Sequence, residues 1–249
     1  MKRAIFLLSG ICFVAFAKDP VIEWHFDESI NADRGGVEIA DDAASTQGPS
    51  GVKASISGTK KRDGFLEDGL SGKAYRIHHD PETKKAVTLT YAPKPPLNSL
   101  AGTISFWIKP EWDGKENARR IFYSADSGSH RIIIFRLPNV PHITFYYGKP
   151  SEEGVTSRPV DISKWKKGEW HHLVMSWDKE SMVVFVDGKR YTLPMKAVFD
   201  KGFKKVMIGE NWGNNSGETV IDELTVYNEK LTDSEIGELY NSMSKQLMK

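Results

Sequence analysis

The chain has a single cysteine among its 249 residues, and neither sign of charge is in excess. One cysteine excludes both an intramolecular disulfide framework and a cysteine-cluster metal site. The 34 Lys and Arg residues balance 33 Asp and Glu residues, for a formal net charge of +1. Nucleic-acid and anionic-membrane partners are bound through concentrated positive charge, so the sequence predicts no partner of either kind.

Long apolar runs are also scarce, and the one near the N-terminus has the form of a signal peptide. Lys2 and Arg3 precede an apolar stretch at 4–17, which ends in the Ala15-Phe16-Ala17 pattern that signal peptidases cleave. The stretch is shorter than the roughly 17–25 residues of a membrane-spanning helix. We therefore expect residues 1–17 to be removed, leaving no membrane attachment.

The segment expected after cleavage, residues 18–249, contains 32 basic and 33 acidic side chains and no cysteine. Export without disulfides is more typical of a bacterial periplasmic or secreted protein than of a eukaryotic ectodomain. A chain of this length can bury one sizeable core, and no linker or internal repeat divides it. The sequence therefore predicts one domain over residues 18–249.

Short strands dominate the pattern of apolar residues. In Thr103–Lys109, Ile104, Phe106 and Ile108 alternate with more polar positions, which is typical of a strand with one buried face. The dipeptide Asp187-Gly188 separates two further strand-like runs and predicts a tight hairpin with positive φ at both positions. Besides 103–109, the strand-like segments are 131–135, 143–147, 170–177, 182–186, 189–193, 206–209 and 219–227, and the dipeptide lies between 182–186 and 189–193.

One helix is predicted, near the C-terminus. Thr232 and Glu235 have the spacing of a capping box, in which each side chain accepts the backbone N–H of the other residue. Apolar residues then recur at helical spacing: Ile236, Leu239, Tyr240, Met243 and Leu247. We expect this amphipathic helix to cover an open edge of an all-β sandwich. Strands and helices do not alternate, which disfavours a doubly wound α/β fold.

Seven segments together carry a resemblance to a known superfamily. They are Ile22–Glu28, Gly69–Tyr75, Gly102–Pro110, Trp170–Leu173, Val184–Lys189, Ile208–Gly209 and Ile221–Tyr240. In order and spacing they resemble the laminin-G-like, concanavalin A-like lectin/glucanase superfamily in its bacterial jelly-roll form. The resemblance implies a β-sandwich of two antiparallel sheets with a short C-terminal helix. It does not choose among binding modules, adhesion domains and glucanases, because one fold hosts several functions.

Glucanases of this superfamily carry Glu-x-Asp-x-Glu or Glu-x-Asp-x-x-Glu on one strand, which places the carboxylates on one face. The nearest match here is Glu218, Asp222 and Glu223. Because Asp222 and Glu223 are adjacent, they point to opposite faces of a strand. The sequence therefore predicts a protein that is not an enzyme.

Strand alternation places Asp222 on one face with Val220, Leu224 and Val226. A carboxylate buried among apolar groups needs a partner. Turn amides or a tryptophan N–H could supply it. The alternative is a structural Ca²⁺ ion shared with Asp41 or Asp42, because calcium prefers oxygen ligands and many members of the superfamily bind it.

Aromatic residues in polar loops are candidates for sugar binding. Trp212 lies in Gly209–Gly217, a stretch rich in amides and glycine, with Asn211 and Asn214 beside it. Trp112 also has a polar context. Sugar faces stack on indole rings, and amides bind the hydroxyl groups. Tyr146 and Tyr147 are further candidates, but alternation allows only one of them to face a groove.

These observations favour a secreted, non-catalytic protein that binds carbohydrate or polysaccharide. Two other hypotheses remain open. The chain could be an adhesion or protein-interaction domain on the same fold, or a polysaccharide-active enzyme with a different catalytic set.

Overall fold

The structure is a computed structural model that describes residues 18–27, 55–57, 66–77, 88–93, 95–149, 154–199, 201–209 and 218–248. Fifteen strands lie in these residues. They are β1 (Ile22–Trp24), β2 (Ser55–Ser57), β3 (Leu66–Asp68), β4 (Lys73–Ile77), β5 (Thr88–Tyr91), β6 (Gly102–Pro110), β7 (Arg120–Asp126), β8 (Arg131–Arg136), β9 (His142–Gly148), β10 (Thr156–Asp161), β11 (His171–Trp177), β12 (Ser181–Val186), β13 (Lys189–Pro194), β14 (Lys205–Ile208) and β15 (Thr219–Tyr227). Helix α1 (Asp233–Ser244) follows and continues as a short 3₁₀ helix, Lys245–Met248.

The strands form two antiparallel sheets. The eight-stranded sheet has the order β13-β12-β11-β6-β15-β4-β3, and β1 pairs with β15 beside this path. The seven-stranded sheet has the order β10-β9-β8-β7-β14-β5-β2. This confirms the all-β sandwich of two antiparallel sheets that the sequence predicts.

The core lies between the sheets and follows strand alternation. Ile104, Phe106 and Ile108 of β6 belong to it, as the sequence predicts. From the other sheet, β8 contributes Ile132 and Ile134, and β9 contributes residues at alternate positions. Each sheet therefore has an inner face in this core and an outer face on the other side.

The predicted hairpin and capping box are both present. Asp187 and Gly188 join β12 to β13 with φ of 50° and 75°. Thr232 and Glu235 form the capping box at the start of α1.

The predicted position of α1 on an open edge is wrong, because the helix packs on the outer face of the eight-stranded sheet. Tyr240 stacks on Trp107 with 5.7 Å between ring centroids. Ile236 belongs to a second apolar cluster with Val174 of β11 and Phe185 of β12. These strand residues alternate with the inner-face residues of the same strands. The helix therefore covers aromatic and apolar side chains that alternation places outside the main core.

The predicted alternation along β15 is wrong at its centre. The pairing of β15 with β6 shifts between Asp222 and Thr225, and Glu223 has a φ of 50°. A β-bulge of this kind adds a residue and changes which face the following side chains occupy. Ile221, Leu224 and Val226 therefore share the core. Asp222 pairs with Trp107 and lies on the outer side.

Candidate functional site

Asp222 sits at a gap along one edge of β15. On that edge, β4 pairs with Thr219–Ile221 and β1 pairs with Leu224–Val226. The carboxylate accepts hydrogen bonds from the backbone N–H groups of Leu70 at 2.7 Å, Ser71 at 3.3 Å and Glu223 at 2.8 Å. The side chain is fully buried. Turn amides, one of the partners considered from the sequence, are therefore present.

The setting of Asp222 is electrostatically demanding. Burial raises the pKa of Asp222 to about 8, and the neighbouring Glu223 charge adds to this, although the three backbone amides oppose it. Across the described residues, no group of three or more His, Cys, Asp or Glu side chains is placed to hold a metal ion. Asp41 and Asp42 lie outside those residues, so the calcium hypothesis stays a prediction.

Glu218, Asp222 and Glu223, the nearest match to a glucanase triplet, each have different surroundings. Glu223 pairs with His25, whose Nδ1 lies 2.6 Å from its Oε2. Hydrogen bonds to Glu223 and then to Glu23 raise the pKa of His25 to about 11. Glu218 lies beyond Val220 and Ile221, on the exposed surface near Arg120. These three carboxylates do not line one accessible cleft.

Trp112 is a core residue rather than an exposed sugar platform. Its side chain is only 3% exposed. The indole Nε1 donates to Thr219 Oγ1 at 2.9 Å, and the ring stacks on Phe122. The guanidinium groups of Arg120 and Arg136 lie 5.3 Å and 5.0 Å from the ring centroid. The ring is thus enclosed by core residues and two arginines and has no exposed face for a sugar, so the predicted binding role is wrong.

Trp212, Asn211 and Asn214 lie outside the described residues, so their role stays a prediction. The residues on either side of that segment are described. Gly209 N–H donates to Phe122 O at 3.1 Å, and Glu218 O accepts from Glu111 N–H at 2.9 Å. Glu218 has a φ of 62°, which is uncommon for a residue other than glycine.

The outer face of the seven-stranded sheet carries a group of accessible side chains that we call the outer-face patch. Its members lie on three neighbouring strands, β8 to β10, and are half-buried or exposed: Phe135, Thr144, Tyr146, Ser157 and Pro159. In the sheet register, Tyr146 is opposite Ser157, and Thr144 lies between Phe135 and Pro159.

Tyr146 is the member that sequence reasoning named. Tyr147 is fully buried, and its hydroxyl donates to Ser99 O at 2.9 Å. Tyr146 therefore points to the opposite face, which confirms that only one of the two tyrosines is available. Phe135 is a diagonal neighbour of Tyr146, a relation that separates Cα atoms by roughly 7–8 Å. The sequence did not single out Phe135, because it follows three consecutive isoleucines. In such a run, residues on both faces of the strand are apolar, so the pattern does not show which face is buried.

A paired charge borders the patch. Arg131 is the other diagonal neighbour of Tyr146, and its Nε lies 3.0 Å from Asp126 Oδ2 on β7. Lys205 of β14 is opposite Asp126 and exposed. Aromatic rings can stack on the apolar faces of sugars, and a neighbouring guanidinium and carboxylate offer both donors and acceptors to hydroxyl groups. The arrangement suits a polyhydroxylated ligand.

The two-sheet sandwich with its helix-covered face defines the fold class, and a family model identifies the family. That model, described as the concanavalin A-like lectin/glucanases superfamily, matches residues 82–237. The chain belongs to this superfamily. A search of curated proteins finds no match to the sequence.

Solved structures share the fold at low sequence identity. Domain 4 of AbnA, a GH43 extracellular arabinanase from Geobacillus stearothermophilus solved with arabinotriose, has a TM-score of 0.62 and 18% identity; the alignment covers 89% of this chain and 98% of that one. The binding domain of botulinum neurotoxin DC in complex with SialylT has a TM-score of 0.64 and 14% identity. That alignment covers 90% of this chain and 51% of the toxin chain. In the part of the chain that the structure describes, no helix is long and apolar enough to cross a bilayer.

Proposed function

We propose that the protein is a secreted, non-catalytic carbohydrate-binding protein whose ligand lies on the outer-face patch. The observation that carries the proposal is the pair of half-buried aromatic rings, Phe135 and Tyr146, beside the Arg131–Asp126 ion pair. Helix α1 packs on the other sheet, so it does not cover these rings. Two structural neighbours, solved in complex with arabinotriose and SialylT, support a glycan as the partner.

The stacking residues can be tested individually. Binding of the protein, residues 18–249, to a glycan array selects the best ligand, and calorimetry then compares Tyr146→Ala and Phe135→Ala with the wild type. Aromatic contacts contribute about 0.5–1.5 kcal/mol beyond area burial, so each variant should bind several-fold to about tenfold more weakly. Trp170→Ala is the control, because Trp170 is also half-buried but lies near Lys109 on the eight-stranded sheet.

Three results would count against the proposal. Unchanged affinity in both patch variants would place the site elsewhere. If no glycan binds the wild type and a protein partner does, the adhesion hypothesis replaces ours. Release of reducing sugar from the bound glycan would make the protein an enzyme. The non-catalytic proposal draws support from the buried Asp222 and from the pairing of Glu223 with His25.

Export is the remaining part of the proposal and rests on the N-terminal sequence. We expect the exported protein to begin at or near Lys18, because the Ala15-Phe16-Ala17 pattern follows a short apolar run. Intact-mass measurement of the exported material tests this. An exported protein that keeps Met1 would contradict it.

A further inference from the structure

Arg136 is a buried arginine that serves one loop. It lies at the end of β8, on the same side as the core residues Ile132 and Ile134, and is 1% exposed. Its terminal nitrogens donate to the backbone carbonyl oxygens of Gly114 at 3.0 Å, Ala118 at 3.3 Å and Glu116. All three acceptors belong to residues 111–119, which join β6 to β7 and which we call the rim loop.

An apolar side chain at this position would suit the core, since the preceding inner-face residues are isoleucines. Burial lowers the pKa of Arg136, and the positive charge of Arg120 adds to this, so the guanidinium is costly to place here. The guanidinium donates hydrogen bonds to backbone carbonyl groups of the rim loop, which have no hydrogen-bond partner from a helix or a strand. The residue thus serves the conformation of the rim loop more than it serves packing.

The rim loop is fixed at further points. Gly114 N–H donates to Trp165 O at 3.0 Å, and a β-carbon at Gly114 would lie only 1.8 Å from the carbonyl oxygen of Ile162. Asn117 Oδ1 accepts from Asn139 N–H, at 2.8 Å, in the turn between β8 and β9. The loop is therefore held against both neighbouring segments.

The rim loop also connects to the strand that borders the patch. It leads into β7, where Arg120 is opposite Arg136 and Ile121 is opposite Phe135. Asn117 and its contact Asn139 are both exposed at this end of the sheet. A ligand stacked on Phe135 would therefore meet the rim loop at one side.

We infer that Arg136 is a positioning residue for glycan binding, which holds the rim loop as a preformed wall of the outer-face patch. This rests on the proposed function. A preformed wall spares the ligand the entropic cost of ordering the loop, so its loss weakens binding without removing a direct contact.

The test compares Arg136→Met with Arg158→Met. Arg158 is a suitable control, because it is also an inward-facing arginine but lies over the Tyr191 ring, at 4.6 Å, on the edge strand β10. Affinity for the best-binding glycan is measured by calorimetry well below the melting temperature, and hydrogen exchange is followed in residues 112–119. We expect about three- to tenfold weaker binding in Arg136→Met alone. Exchange in the rim loop should be faster in this variant and slow again when glycan is added.

Unchanged affinity in a folded Arg136→Met protein would overturn the inference and leave the proposed function intact. Faster exchange across all strands, with no restoration by glycan, would reduce Arg136 to a structural role. If Arg136→Met does not fold, the exposed pair Glu116→Ala and Asn117→Ala loosens the same loop from the surface and should weaken binding in the same way. A wild type that binds no glycan removes the proposed function and this inference together.

Discussion

The two outer faces of the sandwich carry aromatic side chains in similar positions but in different surroundings. On the eight-stranded sheet, Trp107 lies under α1, stacked on Tyr240, and is 2% exposed. On the seven-stranded sheet, Phe135 and Tyr146 remain half-buried. An aromatic residue that faces away from the core is therefore structural or available for a ligand according to what packs above it.

The largest effect is expected from Trp107→Ala. Removing this indole leaves a cavity under α1 and should lower the free energy of unfolding by about 3–5 kcal/mol, as large-to-small changes of this type do. Chemical denaturation measures the change, with Tyr146→Ala, expected to cost less than half as much, as the comparison. Equal costs in the two variants would mean that the two faces do not differ in the way described.

Asp222→Asn tests the gap between β4 and β1 along the edge of β15, in the eight-stranded sheet whose outer face α1 covers. Above the pKa of Asp222, which is about 8, the substitution replaces one acceptor oxygen of the ionised side chain by an N–H donor facing backbone amides. Unsatisfied buried groups of this kind cost about 1–3 kcal/mol. We expect a lower melting temperature by calorimetry. A melting temperature that EDTA leaves unchanged would show that the partners are the protein amides. A decrease with EDTA in the wild type, absent from the variant, would support the calcium hypothesis.

The covered face should also respond to acid. Burial lowers the pKa of His172 to about 3, against 6.5 for the free side chain, although the charge of Asp187 opposes this. The unfolded chain therefore binds a proton at His172 between pH 6.5 and 3 while the folded protein does not. The resulting stabilisation is complete above pH 6.5 and is lost as the pH falls towards 3. Chemical denaturation at pH values from 7 to 4 measures the free energy of unfolding. This free energy should fall less with decreasing pH in His172→Gln than in the wild type. The same pH dependence in both proteins would contradict the prediction.

The smallest expected change is in Trp212→Ala, a test of the predicted binding loop. If the ligand contacts this loop as well as the outer-face patch, loss of one indole contact weakens glycan binding several-fold to about tenfold and leaves the fold intact. Calorimetric binding and thermal denaturation are measured together. A melting temperature lowered by several degrees would make Trp212 a packing residue, and unchanged binding would leave the outer-face patch as the site.

Local signals in the sequence predict much of the fold. Thr232 and Glu235 mark the start of the helix, Asp187-Gly188 marks a hairpin, and alternation in β6 identifies its inner face. The bulge at Asp222 could not be predicted, because a single inserted residue leaves no mark in an apolar pattern. The edge position expected for α1 failed for a related reason. The apolar stripe of a helix shows that it packs on something, but not on which surface.

The candidate site was harder to predict, because composition does not reveal what covers a side chain. Trp112 is surrounded by polar residues in the sequence, yet Arg120 and Arg136 fold over its ring. Phe135 lies in a run of isoleucines, yet faces outwards. Tyr146 was the easiest of these residues to predict. Because adjacent strand residues point to opposite faces, only one of Tyr146 and Tyr147 could face the core.

The position of β15 has a consequence for how the chain folds. This strand lies inside the eight-stranded sheet, between β6 and the pair β1 and β4, although it is the last of the fifteen strands in the described residues. Its partners in β1 are roughly 200 residues away in sequence, and such distant contacts are typical of slow folding. During synthesis β1 and β4 therefore cannot pair with β15 until that strand has emerged from the ribosome. The meander of β7 to β10, in which consecutive strands are neighbours, can form before it.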